Sequence, residues 1–179
     1  VYRVAIGELP YVTGILPLGG QSGTTTTLEL TGWNLPVTNL TGIAQAPGLR
    51  PIFVRKGAFL SNRVPFAVDT LPECLETEPN DDSAGAQRVT LPLIVNGRID
   101  RSGDVDVFCF AGRAGQQIIA EVKARRLDSS LDSALKLTDA TGQHRTRVQL
   151  TSDNYSGTFD WTQIQKSLTV PAGTRRMQF

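Results

Sequence analysis

Histidine occurs once, methionine once and cysteine twice among the 179 residues, and each scarcity removes a class of chemistry. Two cysteines cannot build a four-Cys zinc site or a dense disulfide framework. A Ser-His-Asp triad would have to use His144, which stands among Gln143, Arg145 and Arg147 with no nucleophile-elbow motif around it. Net charge is also missing. With 18 Lys and Arg against 17 Asp and Glu, no bulk field steers nucleic acid or an acidic membrane to the chain, and partners must be chosen by local surface. No apolar run approaches the roughly 18 residues of a membrane span, and no long helical stripe interrupts the pattern. Neither a charged n-region nor a cleavage site is visible. Val1 starts in mid-pattern and Phe179 ends in an apparent strand, so the chain reads as an excised piece with any export signal upstream.

What is present is a period of two from end to end. Strand-sized alternating runs are punctuated by Gly, Pro, Asn and Asp roughly every ten positions, which is the pattern of a β-sandwich. The expected fold is all-β, with two β-sandwich modules. In the first, residues 1–70, Thr24, Thr26, Leu28 and Leu30 alternate with Thr25, Thr27, Glu29 and Thr31, and Gly32-Trp33-Asn34 then turns the chain. Ile52-Phe53-Val54 and Val64-Pro65-Phe66-Ala67-Val68 follow as strands, the latter near an edge because Pro65 cannot donate to a ladder. Gly19-Gly20-Gln21-Ser22-Gly23-Thr24 reads as a glycine turn, since a phosphate loop needs a Lys after its last Gly and here threonines follow. Residues 71–82 shift toward acid and proline, as a linker does. The second module, 83–179, has strands at 93–95, 104–110, 117–124 and 134–138, with Ile118, Ala120, Val122 and Ala124 forming an inward row.

Oxygen-bearing side chains concentrate at Glu76, Glu78, Asn80 and Asp81 and again at Asp104 and Asp106. Asp104, Asp106, Phe108 and Phe110 share one strand face by parity, so two carboxylates stand at the rim of an apolar face. Burying an unpaired carboxylate costs several kcal/mol, on the order of what a small domain has to spare. No Lys or Arg of the 104–110 strand is placed to offset it, so a cation is expected. Oxygen-only ligands suit Ca²⁺ before Mg²⁺ and exclude zinc. A helix-loop-helix site fails, because Val105 replaces its glycine and Ala111 its bidentate Glu. By charge pattern alone the same residues also read as a solvated acidic linker beside a loop. Cys74 and Cys109 leave two readings as well, a disulfide joining linker to strand or two unrelated thiols.

Gly14-Ile15-Leu16-Pro17-Leu18-Gly19-Gly20, the Thr-rich strand and Gly32-Trp33-Asn34 resemble the opening of an immunoglobulin-like IPT/TIG domain. Glu76-Thr77-Glu78-Pro79-Asn80-Asp81-Asp82, then Asn96-Gly97-Arg98-Ile99, then Gly103-Asp104-Val105-Asp106-Val107-Phe108-Cys109-Phe110 are similar to the bacterial pre-peptidase C-terminal domain, a family that includes the collagen-binding domains of collagenases. That resemblance spans about residues 76 to 142 and implies a jelly-roll sandwich that binds calcium through Glu76, Glu78, Asn80, Asp81, Asp104 and Asp106. Gly103 stands where some calcium-binding members carry another acid. From about residue 143 the family pattern stops. Residues 156–162 and 168–179 instead resemble late strands of a carbohydrate-binding module, with Trp161 and Tyr155 as candidates for stacking on sugar. Trp33 and Tyr11 are further stacking candidates.

The function expected is that of a non-catalytic accessory or scaffold region of an exported bacterial protein, extracellular or at the cell surface. Its partners would be an extracellular polysaccharide or protein polymer and other domains of a larger parent chain, not nucleic acid. A carbohydrate-binding module is the first alternative, and a fragment of a secreted hydrolase the second.

Overall fold

The computed structural model describes residues 1–112, 117–133, 135–139, 144–146, 164–169 and 174–178. The fold is all-β and divides into two units, Val1–Leu75 and Glu76–Phe179. The division falls inside the acidic segment 71–82, so Glu76 and the acids after it belong to the second unit.

The first unit holds β1 (Tyr11–Leu16), β2 (Gly19–Gln21), β3 (Thr25–Trp33), β4 (Asn39–Ile43), β5 (Gly48–Ile52), β6 (Arg55–Lys56), β7 (Phe59–Leu60), β8 (Val64–Asp69) and β9 (Glu73–Leu75). One sheet runs β1-β3-β4 and another β2-β8-β5. Their inner faces supply one core, in which Val12, Ile15, Leu28 and Leu30 meet Val64, Phe66 and Val68. Alternation decides which residues go in. Leu28 and Leu30 are buried while Thr27, Glu29 and Thr31 between and beside them are exposed, as a half-buried strand requires.

Two expectations need correction. The strand of Pro65 is not at an edge, because β8 lies between β2 and β5. Its pairing with β2 begins only at Ala67, so at Pro65 the only partner is Pro51 of β5. Neither proline has an N–H to give, and the position is one where the ladder asks for none. Gly32 and Trp33 extend β3 rather than turning the chain. The turn starts at Asn34, which takes a left-handed φ of 53° and donates its side-chain amide to the Leu9 carbonyl at 3.2 Å; Asn tolerates that region better than most residues.

The second unit holds β10 (Gln87–Arg88), β11 (Ile94–Asn96), β12 (Val107–Cys109), β13 (Gln117–Val122), a short 3₁₀ turn (Arg125–Leu127), β14 (Lys136–Asp139), β15 (His144–Thr146), β16 (Ile164–Thr169) and β17 (Thr174–Gln178). A five-stranded sheet runs β10-β12-β17-β14-β15, and β13 pairs with β16. Phe110, Ile118, Ala120, Leu135 and Leu137 form the core between them. Ile118 and Ala120 are buried while Ile119 between them is exposed, as the period predicts. Ala124 leaves the row, because the chain has already turned into the 3₁₀ segment. The late strands belong to this unit: β17 pairs with both β12 and β14, and β16 with β13.

Candidate metal centre

β12 is shorter than the parity argument requires. It begins at Val107, so Asp104 and Asp106 lie in the approach to the strand rather than on it. Val107 and Phe108 are both buried, so both faces of the strand are covered there. Asp106 nevertheless goes inward and is 6% exposed.

The segment from Glu76 to Asn80 is tied to the body of the unit by its backbone. Glu76 N–H donates to the Asn96 carbonyl at 3.0 Å, and Val107 N–H donates to the Asn80 carbonyl at 3.0 Å. Asn80 N–H in turn donates to Glu78 Oε2 at 2.9 Å. Arg98 N–H donates to Glu76 Oε1 and holds that carboxylate beside the end of β11. These contacts bring Glu76, Glu78 and Asp106 together, with one carboxylate oxygen from each lying within 4.8 Å of the others.

Four side-chain atoms of this cluster are buried without a hydrogen-bond partner. Glu76 Oε2, Asp106 Oδ1 and both side-chain atoms of Asn80 make no hydrogen bond, and Asn80 is wholly buried at 0% exposure. A buried polar atom without a partner costs about 1–3 kcal/mol, more when charged. Electrostatics point the same way. Burial, followed by the charges of Asp106 and Glu78, pushes the Glu76 carboxyl up to about 7 against the pull of the Arg98 N–H. Burial, with the charges of Asp104, Glu78 and Asp100, pushes the Asp106 carboxyl up to about 6, against the pull of a hydrogen bond shared with the Glu76 carboxyl. Buried like charges raise the cost of ionising one another, and a divalent cation reverses that cost.

Asp81 and Asp104 are held differently. Arg101 Nη2 contacts Asp81 Oδ2 at 2.9 Å, and Arg101 Nε lies 4.0 Å from Asp104 Oδ1. Asp104 also accepts from Asp100 N–H at 2.7 Å. That bond first, and Asp81 and Arg101 beside it, hold the Asp104 carboxyl below the usual carboxylate range. A cation for these two acids therefore comes from Arg101, just outside the stretch in which the sequence offered none. The loop reaches it because Gly103 adopts a left-handed φ of 83°.

Gly97 is a site residue that sequence reasoning noted only as part of a strand motif. A Cβ at this position would lie 2.5 Å from Glu76 Oε2 and 3.5 Å from Asp106 Oδ2. The absence of a side chain there is what lets the Glu76 carboxylate occupy the end of β11, while Asp106 would stay at ordinary contact distance. Asp82 stays apart from the cluster. Its Oδ1 accepts the Ala84 and Gly85 N–H groups at 2.7 and 2.9 Å and closes the loop after the acidic segment.

The remaining candidates fall elsewhere. Cys74 and Cys109 are both free thiols; burial and then the Glu73 charge push the Cys74 thiol up, and Cys109 Sγ faces the Ala86 carbonyl at 3.8 Å. His144 stands in β15 opposite Thr138. Trp161 and Tyr155 lie outside the described residues. Tyr11 and Trp33 are direct partners across β1 and β3 and are 53% and 71% exposed, so neither is core packing.

Among the described residues, no helix is long and apolar enough to cross a membrane. No protein-family model matches the chain. Over 70 residues it is 40% identical to a protein of Deinococcus radiodurans named as a probable subtilase-type serine protease; the match takes in 37% of this chain and 10% of that protein. The matched stretch thus spans about a tenth of the length of that relative.

Proposed function

We propose that the chain is a non-catalytic accessory region of an exported bacterial protein, and that its second unit carries a structural calcium site. The observation that carries this reading is the set of buried, partnerless oxygens on Glu76, Asp106 and Asn80, next to Glu78. Glu76, Glu78, Asp106 and Asn80 would hold the ion, with Asp81 and Asp104 adjoining through Arg101. Calcium suits a flexible set of oxygen ligands better than Mg²⁺, which demands near-ideal octahedral geometry and keeps several waters. Its chemistry is neutralisation of buried negative charge, and its effect is to clamp residues 76–80 to the approach of β12. The similarity of the acidic segment and the Asp-x-Asp-x-Phe-x-Phe stretch to pre-peptidase C-terminal domains supports the same reading. Likeness to a serine protease over part of the chain fits a parent that is a hydrolase, with this region beside its catalytic part.

The test is metal analysis together with melting of the whole chain in calcium and in excess chelator. At free Ca²⁺ a hundredfold above the dissociation constant, binding to the folded form adds about 2.7 kcal/mol, a rise of several degrees in melting temperature. Superimposed melting curves, with no calcium retained, would sink the proposal.

One observation favours a second reading, that of a carbohydrate-binding module. Tyr11 and Trp33 are exposed side by side on the outer face of the first sheet, whose further outward residues include Thr31, Glu29 and Thr27. Flat rings beside hydroxyls and a carboxylate suit the apolar face and hydroxyls of a sugar. Retention on insoluble glycans that disappears in Trp33→Ala would support this reading, and indifference to every glycan would remove it.

A further inference from the structure

The first unit has nearly balanced charge but distributes it unevenly. Between Glu29 and Asp69 the sequence contains no acidic residue, and four of the unit's five cations, Arg50, Arg55, Lys56 and Arg63, fall within residues 50–63. Among the described residues, none of the four pairs with a carboxylate. Large apolar side chains are exposed in the same stretch: Phe53 at 44%, Phe59 at 56% and Leu60 at 48%.

The fold turns this composition into a shaped surface. β6 and β7 make a two-stranded hairpin that no other strand joins. Its base is anchored, because Val54 is buried in the core, Ser61 N–H donates to the Val54 carbonyl at 2.9 Å, and Val54 N–H donates to Ser61 Oγ at 3.0 Å. Its tip turns at Gly57, with a left-handed φ of 58°. Arg55 is opposite Leu60 and Lys56 opposite Phe59. Directly opposed residues share a face, so each face of the hairpin presents one cation and one large apolar group. Beside the base, the Arg63 guanidinium lies over the Phe53 ring at 5.8 Å, a further cation on an apolar support.

We infer that this hairpin docks on a bilayer surface bearing anionic lipid headgroups. A soluble polyanion would neutralise Arg55 and Lys56 but leave Phe59 and Leu60 in water. Entered tip first at Gly57, a bilayer takes both faces of the hairpin, because its headgroups attract the cations and its acyl boundary accepts the apolar side chains. The stems of Arg55 and Lys56 reach from one layer to the other. Balanced net charge over the whole chain does not oppose this, since at physiological salt charges beyond about 8 Å are screened and only the local patch is felt. The site shares no residue with the metal centre, so the two proposals stand or fall separately.

The test is co-sedimentation of the full chain with vesicles of phosphatidylcholine, with and without phosphatidylglycerol, at low and high salt. Binding is expected only to the vesicles containing phosphatidylglycerol, and is expected to weaken with salt. Losing one cation should weaken it about fivefold, so Arg55→Ser combined with Lys56→Ser should lower it about 25-fold, twice that step on a logarithmic scale. Phe59→Ser combined with Leu60→Ser should lower it at least about tenfold. All four side chains lie outside the core, so both double variants should melt with the parent; if one does not, the single Phe59→Ser and Lys56→Ser variants replace it. Equal binding to pure phosphatidylcholine, absence of vesicle binding, or binding unchanged in both variants would each overturn the inference. Retention on immobilised dextran sulfate without vesicle binding would also overturn it, in favour of a soluble polyanion.

Discussion

A methyl group on Gly97 would stand 2.5 Å from Glu76 Oε2, closer than a carbon and a carboxylate oxygen can approach. Gly97→Ala should therefore push Glu76 out of the cluster. Glu76 is a flexible, half-buried side chain that can swing toward water, so melting in chelator should change little. Calcium affinity should nevertheless fall by at least about tenfold, the equivalent of ~1.4 kcal/mol. Calorimetric titration of the variant with calcium checks both the direction and the size.

When ionised, Glu76 and Asp106 destabilise the metal-free protein, through burial first and then the neighbouring acidic charges. Changing both to their amides, Glu76→Gln with Asp106→Asn, keeps shape and removes the charge. The double variant should melt higher than the parent in chelator, and calcium should no longer raise its melting temperature. A variant that melts lower in chelator and still responds to calcium would contradict this account.

Stability of the metal-free chain should depend on pH in an unusual direction. Carboxyls of an unfolded chain titrate near 4, whereas in the folded protein Glu76 titrates at about 7 and Asp106 at about 6. Between these values the folded state binds more protons than the unfolded state, so stability falls as pH rises. The contribution is fully present below about 4 and is lost as pH passes through about 6 and about 7. In chelator the melting temperature should decline across this window, and the increment given by calcium should grow across it, because binding must displace protons. Melting curves collected across the window, with and without calcium, provide the check.

Arg101 contacts Asp81 at 2.9 Å while its own side chain is 71% exposed. An exposed pair contributes about 0–1 kcal/mol, so Arg101→Ala should barely change melting in chelator. Removing a cation that competes for Asp81 and Asp104 should tighten calcium binding by up to about fivefold, the upper end of that same energy. Weaker binding in the variant would show that Arg101 organises the loop rather than competing with the ion.

Much of the architecture could be read along the chain. Leu28 with Leu30, Val64 with Phe66 and Val68, and Ile118 with Ala120 go inward where a period of two places them. Each of these depends only on neighbours two positions away. The errors came from contacts between distant strands. Pro65 looked like an edge residue because the chain could not reveal that its partner would be Pro51. Ala124 continued the pattern of β13, but Arg125–Leu127 turn there instead. At the acidic cluster, acids in the right order marked Glu76, Glu78 and Asp106, which the fold brings together. The diversion of Asp81 and Asp104 to Arg101 depended on a loop reversal at Gly103.

Alternation of apolar and polar side chains was sufficient for the class of fold, since a pleated strand sends successive residues to opposite faces whatever lies beyond it. Scarce histidine and cysteine were likewise enough to remove zinc and thiol-rich frameworks. Partnership across long separations required the folded chain: Glu76 beside Asp106, Tyr11 beside Trp33, and β17 between β12 and β14. Which oxygens lose their water is a property of burial. Burial is created when residues far apart along the backbone close over the same point.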